Sequence, residues 1–203
     1  MTAVAAVAKV LNLIGALYIG HSMGGFTGMF CEVRHPGTFS AMCLLATAAA
    51  GGGGHAGPDA GKFLIEHGND REILQKAVAP MYLHGDNGAA NVEAILLMDR
   101  RVHEIYFAEY PKRVIIDEIR HVDIPVLVLN GARDSVVPLS TQHETALALP
   151  NCKEVILTTE GHMLPRESGD LTAREIIAFW KHDVGKTLPW TPRERAAPLA
   201  PYS

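Results

Sequence analysis

The chain has 203 residues, 48% of them apolar, with 22 acidic against 18 basic side chains and a formal net charge of −4. That length suits one domain with a real core, and the composition excludes a disordered or fibrous protein. The slightly acidic balance gives no electrostatic reason to expect nucleic acid as a partner.

Residues 2–13, with Val4, Val7, Ala8, Val10 and Leu11, suit a helix packed on a sheet. Residues 1–19 are apolar, but they lack a charged leading region and carry Lys9 in their middle, which argues against a signal peptide. No other run approaches the roughly 18 apolar residues of a membrane span. Cys31, Cys43 and Cys152 form an odd set without C-x-x-C spacing. They read as reduced thiols, so the expected location is cytoplasmic.

After Gly15 the run Ala16-Leu17-Tyr18-Ile19 reads as a short buried strand, and Gly20-His21-Ser22-Met23-Gly24-Gly25 follows. A helix is expected from residue 23 to about Arg34, where His35-Pro36-Gly37 stops it. Phe39 to Thr47 is a second buried strand. Helix, strand, helix, strand in that order signals a parallel sheet with crossover helices. Gly51 to Gly54 read as a hinge, and residues 59–120 lose the strand pattern. Within them Asn69-Asp70 looks like a helix start, and Val92, Ile95, Leu96, Val102, Ile105 and Tyr106 recur at helical spacing on one face. This block is expected to be a helical lid.

Ile124 to Leu129 is a buried strand, running into Asn130-Gly131-Ala132-Arg133-Asp134-Ser135-Val136-Val137-Pro138. A helix at 140–149, a strand at 154–157, the segment Thr158-Thr159-Glu160-Gly161-His162-Met163 and a closing helix at 171–182 complete the pattern. The tail from Gly185 carries Pro189, Pro192, Pro198 and Pro201 and reads as loosely ordered. The expected division is thus a core of residues 1–54 and 121–184, a lid of 55–120 and a tail of 185–203.

Chemistry gathers at strand ends. Gly-x-Ser-x-Gly between a strand and a helix is the setting of a nucleophile elbow, a sharp turn that needs neighbours without bulk, here Gly20 and Gly24. The Met23 N–H, at a helix N-terminus, is the expected oxyanion donor. Ser22, Asp134 and His162 each fall just past the C-terminal end of a predicted parallel strand, where ligands bind in open α/β sheets. A serine hydroxyl needs a base, for which His162 is suited, and the base needs an acceptor on its other nitrogen, for which Asp134 is suited. The plainer readings are a Gly-rich turn, a turn aspartate and a loop histidine. Their joint occurrence in the order Ser, Asp, His favours a site.

His21 is expected to line the substrate pocket with Met163, Tyr106 and Phe107. The further lid residues Met81, Tyr82, Met98 and Tyr110 would line an apolar pocket or simply be lid core. Glu32 and Glu160 read as solvated or local partners, and no His, Cys, Asp and Glu cluster has metal-ligand spacing.

Taken together, Gly-His-Ser-Met-Gly-Gly, Leu-Asn-Gly-Ala-Arg-Asp-Ser-Val-Val-Pro and Glu-Gly-His-Met resemble the α/β-hydrolase fold family, in its lidded esterase, haloperoxidase-like and proline-iminopeptidase-like group. The resemblance covers residues 1 to about 184. It implies a partial α/β-hydrolase fold with Ser22 as nucleophile, Asp134 as acid and His162 as base, acting on a small-molecule ester without a cofactor. Peptidase, lactonase, perhydrolase or acyltransferase chemistry would use the same parts.

The same resemblance marks a departure. Such proteins carry several strands before the elbow, including the loop that supplies a second oxyanion N–H. Here only about 20 residues precede Ser22. Tyr82-Leu83-His84-Gly85 reads superficially like that loop. Family strand order would leave the elbow strand at a sheet edge, open to pairing with a second copy through residues 16–20. A scaffold that binds a hydrophobic ligand or a partner without turnover is the alternative.

Overall fold

The computed structural model describes residues 2–50, 58–102, 104, 110 and 113–184. The glycines at 51–54, His55, His103, Ile105, Tyr106, Phe107 and the segment after residue 184 lie outside the described residues.

Helix α1, Ala3–Val10, starts at Thr2, whose hydroxyl accepts the Ala5 N–H at 3.2 Å. Strand β1, Ala16–His21, leads through Ser22 into helix α2, Met23–Arg34. Strand β2, Phe39–Leu45, follows a turn in which the buried Glu32 accepts the backbone N–H groups of Gly37 and Phe39. Glu32 is therefore a local partner and not a solvated charge.

Between β2 and the next strand the described residues form α3 (Pro58–His67), α4 (Arg71–Val78) and α5 (Ala89–Leu96). Asp70 caps α4 by accepting the Ile73 N–H at 3.0 Å. This block leaves and rejoins the sheet at one place: the Ile115 N–H donates to the Ala49 carbonyl at 2.8 Å, and Ala50 bridges Val114. The single apolar face expected from Val92 onward does not persist among the described residues, which leave out Ile105 and Tyr106. Helix α5 ends at Leu96, and Leu97 is 87% exposed and Val102 47% exposed. Asp99 starts a separate turn by accepting the Arg101 N–H, so the helical phase restarts there.

Strand β3 (Val126–Gly131), helix α6 (Leu139–Ala148), strand β4 (Cys152–Leu157), a short turn at Leu164–Glu167 and helix α7 (Gly169–Phe179) complete the described chain. The four strands form one parallel sheet in the order β1-β2-β3-β4. The two central strands are apolar on both faces because helices cover both. Met42, Leu44, Val126 and Val128 face α1, α2 and α6 with Phe26, Met29 and Ala146. Ala41, Cys43, Leu45, Leu127 and Leu129 face Leu164 and Phe179 on the other side. Because all four strands run parallel, their C-terminal ends lie along one common rim. Tyr110, expected in the lid, instead joins the first cluster, edge-on to Phe26 at 5.1 Å between ring centroids. Among the described residues, no helix is long and apolar enough to cross a membrane.

Candidate active site

Ser22 sits between β1 and α2 with φ of 51° and ψ of −121°, a conformation that a non-glycine residue occupies only when its surroundings enforce it. Several contacts enforce it. The Ser22 N–H continues the parallel ladder to the Leu45 carbonyl at 2.8 Å, and the Thr47 hydroxyl donates to the Ser22 carbonyl at 2.6 Å. Tyr18 reaches over from β1 to donate to the Gly24 carbonyl at 2.6 Å.

Close packing explains two glycines, but not the expected two. A Cβ on Gly20 would lie 2.6 Å from the Gly24 carbonyl oxygen, and one on Gly25 would overlap the Thr47 side chain. A Cβ on Gly24 would meet nothing within 4 Å. The crowding thus falls on Gly20 and Gly25. Sequence alone could not separate Gly24 from Gly25, because the side chain that presses on the helix comes from beyond β2.

Asp134 and His162 lie in the loops after β3 and β4. Gly131 brings those loops together: a Cβ there would lie 2.6 Å from the Glu160 carbonyl oxygen, and the Arg133 N–H donates to that same carbonyl at 2.9 Å. Ser22, His162 and Asp134 form one hydrogen-bonded chain. His162 Nδ1 is 2.9 Å from Asp134 Oδ2, and His162 Nε2 is 3.0 Å from Ser22 Oγ. A carboxylate only accepts, so Nδ1 carries the hydrogen, and Nε2 is left with a lone pair facing the hydroxyl. Both the His162 and Asp134 side chains are buried.

Asp134 is held on all sides. Its Oδ1 accepts the N–H groups of Val136 and Val137, each at 2.8 Å, and its Oδ2 also accepts the side-chain amide of Gln142 at 3.0 Å. Gln142 is fully buried and ties the same amide to the Val137 carbonyl at 2.6 Å. The sequence carries no signal for Gln142. It is one polar position in a helix, and its target lies eight residues earlier in a loop.

His21 points its ring at His162. Its Nε2 lies 2.7 Å from the His162 carbonyl oxygen, and the two ring centroids are 4.9 Å apart at an angle of 50°. Burial, and next the neighbouring His162, push the His21 imidazole down to about 4, so it is neutral near pH 7. Met23 opens α2, where the first backbone N–H groups have no acceptor within the helix. Met163 is buried against Leu74, Val78, Tyr82 and Val92 of the helical block. Tyr106 and Phe107 lie outside the described residues.

The segment after His162 is tied to the helical block. The Leu83 and His84 N–H groups both donate to Glu167 Oε1, at 2.7 and 2.5 Å, and Arg166 pairs with Asp86 at 2.7 Å. Glu160, buried, accepts from Ser168, from Thr159 at 2.8 Å and from His84 at 3.2 Å. The Ser168 bond is the main reason its carboxyl lies below the usual range. Glu167 engages the two amides that the Leu83-His84 resemblance would have offered to an oxyanion. Among the described residues, no cluster of three or more His, Cys, Asp or Glu side chains could hold a metal ion.

Residues 105–179 match the abhydrolase family described as "TAP-like protein". The chain is 20% identical over 190 residues to the Karrikin insensitive 2 receptor IA of Petunia hybrida, covering 88% of this chain and 69% of that protein. It is 22% identical over 206 residues to the bifunctional esterase/perhydrolase DCH of Acinetobacter calcoaceticus, covering 87% and 71%. Among solved structures, the enol-lactonase from Burkholderia xenovorans LB400 superposes with a TM-score of 0.74 at 21% identity, over 87% of this chain and 69% of that one. The parallel sheet, the strained serine turn and these similarities agree: the chain has an α/β-hydrolase fold and spans about 70% of the length of these relatives.

Proposed function

We propose that the chain is a serine hydrolase that cleaves carboxylic esters of small molecules through an acyl-serine intermediate. The observation that supports this reading is the unbroken hydrogen-bonded chain from Ser22 through His162 to Asp134, with contacts of 3.0 and 2.9 Å. In this mechanism Ser22 Oγ attacks the ester carbonyl carbon as its proton passes to His162 Nε2. Asp134 stabilises the resulting imidazolium and keeps the ring oriented. The carbonyl oxygen takes up the negative charge and is met by the Met23 N–H. Collapse breaks the bond to the alkoxy oxygen, which leaves as the alcohol with the proton from His162. Water then adds to the acyl-serine with His162 as base, releasing the acid and restoring Ser22. General base catalysis of this kind contributes about 10²–10⁴ in rate.

The helices of the 55–120 block serve as the lid in this reading. The support is the cluster that joins Leu74, Val78, Tyr82 and Val92 to Met163, the residue after His162. Core residues 1–54 and 121–184 carry the site.

Labelling with a fluorophosphonate, and turnover of p-nitrophenyl esters from acetate to palmitate, test the reading. Wild type should label at one serine, and Ser22→Ala should lose labelling together with at least about 10⁴-fold in turnover. Labelling that survives in Ser22→Ala, or a wild type that never labels, would overturn it. The second outcome is the one expected of a scaffold that binds without turnover.

A further inference from the structure

The variable position of the Gly-x-Ser-x-Gly turn carries a second link between the elbow and the histidine loop. We propose that His21 is a positioning residue, whose side chain donates a hydrogen bond from Nε2 to the main-chain carbonyl of His162 and thereby holds His162 at bonding distance from Ser22. The inference rests on the serine-hydrolase reading for its meaning in catalysis, but not for its geometry.

Residues 22 and 162 are 140 positions apart, and their side-chain bond of 3.0 Å must break and re-form in each turnover. The bond from His21 joins the neighbouring residue on one side to the backbone on the other, at 2.7 Å, and no reacting atom belongs to it. It persists while the proton moves. The His162 carbonyl also receives the Leu164 N–H at 3.0 Å, so the loop is gripped from within by Leu164 and from the elbow by His21. A carbonyl oxygen only accepts, so His21 carries its hydrogen on Nε2 and leaves Nδ1 bare.

Neutrality matters as much as direction. The titratable groups that act on His21 are His162, whose ring lies against it, and the more distant Asp134. A charged His21 would oppose the imidazolium that His162 must become. Burial keeps it uncharged, so the contact positions His162 without working against its protonation. A misplacement of about 1 Å between reacting groups costs on the order of 100-fold in rate, which is the scale of effect such a strut can control.

The test compares His21→Phe, which keeps a ring but no donor, with His21→Gln, which keeps an N–H donor. The readouts are the fluorophosphonate labelling rate, kcat and KM for p-nitrophenyl acetate, and thermal stability. His21→Phe should lose about 10–100-fold in kcat and in labelling rate with KM unchanged within twofold, and His21→Gln should recover most of the loss. Labelling of His21→Phe at the wild-type rate, or a Gln variant no better than Phe, overturns the proposal while leaving the serine-hydrolase reading intact. A wild type that never labels removes both.

Nitrogen-15 NMR of the wild-type imidazoles reads the contact directly, whether or not a variant folds. A neutral His21 with its hydrogen on Nε2 at pH 7 is expected, and an Nδ1-protonated or charged His21 overturns the proposal.

Discussion

Asp134 shows how a single carboxylate is fixed without a lysine or arginine in the contacts described. Two loop N–H groups, a glutamine amide and an imidazole share its two oxygens, leaving it one orientation toward His162. His21 shows the opposite case, a titratable group kept neutral. Its value of about 4 lies below the ordinary 6.5 of histidine. Between those values the unfolded chain binds a proton that the folded chain does not, so stability falls as pH drops from 6.5 toward 4 and gains nothing above 6.5. The loss is at most about 3 kcal/mol, less in proportion to the part of the ring that water reaches. Denaturant melts of wild type and His21→Phe across pH 7 to 4 should therefore converge as the pH falls. Parallel curves would show that His21 titrates alike in both states.

The strand–turn–helix element concentrates strain at one residue and relieves it with small neighbours. Gly25 faces the Thr47 side chain, which also donates to the Ser22 carbonyl, so helix α2, the elbow and the segment after β2 meet at one point. Gly25→Ala should lower stability by about 1–3 kcal/mol, since the clash is with a packed β-branched side chain. Gly24→Ala places its methyl in open space within a helix and should be neutral or raise stability by up to about 1 kcal/mol. Thermal melts of the two variants measure the contrast, and equal losses would contradict the assignment of crowding to Gly25. The helical block is an element of another kind. Its loop at Leu83-His84 takes its acceptor from Glu167, so the position of that loop depends on the segment that follows His162.

At the scale of the whole molecule, the sheet has two edge strands among the described residues, β1 and β4. Strands β2 and β3 are paired on both sides, whereas β1, which carries the elbow, pairs only with β2 among the described residues. Ile19 on this edge strand is 50% exposed, and Val10, Leu11, Leu13 and Ile14 just before it are exposed as well. An apolar strand edge of this kind recruits another strand, and we propose that two copies pair through residues 16–20. Light scattering of the 203-residue chain should give a dimer that Ile19→Lys converts to monomer. A wild type that stays monomeric at high concentration would refute the pairing.

Much of the molecule was legible along the chain, because local patterns set it. The apolar runs at 39–47 and 124–129 marked the two central strands, which span Phe39–Leu45 and Val126–Gly131, and Asp70 announced α4, since a cap and a period act over a few residues. The order Ser22, Asp134, His162 was equally local, three loops each following its own strand. What tertiary structure alone decided were the contacts between segments distant in sequence. Gln142 on Asp134, His21 on the His162 carbonyl, Glu167 on the Leu83 amide and Thr47 against Gly25 each join residues whose approach depends on the packed sheet. No short window of sequence encodes such a distance, because it is fixed by the crossing of whole elements and not by the residues that meet there.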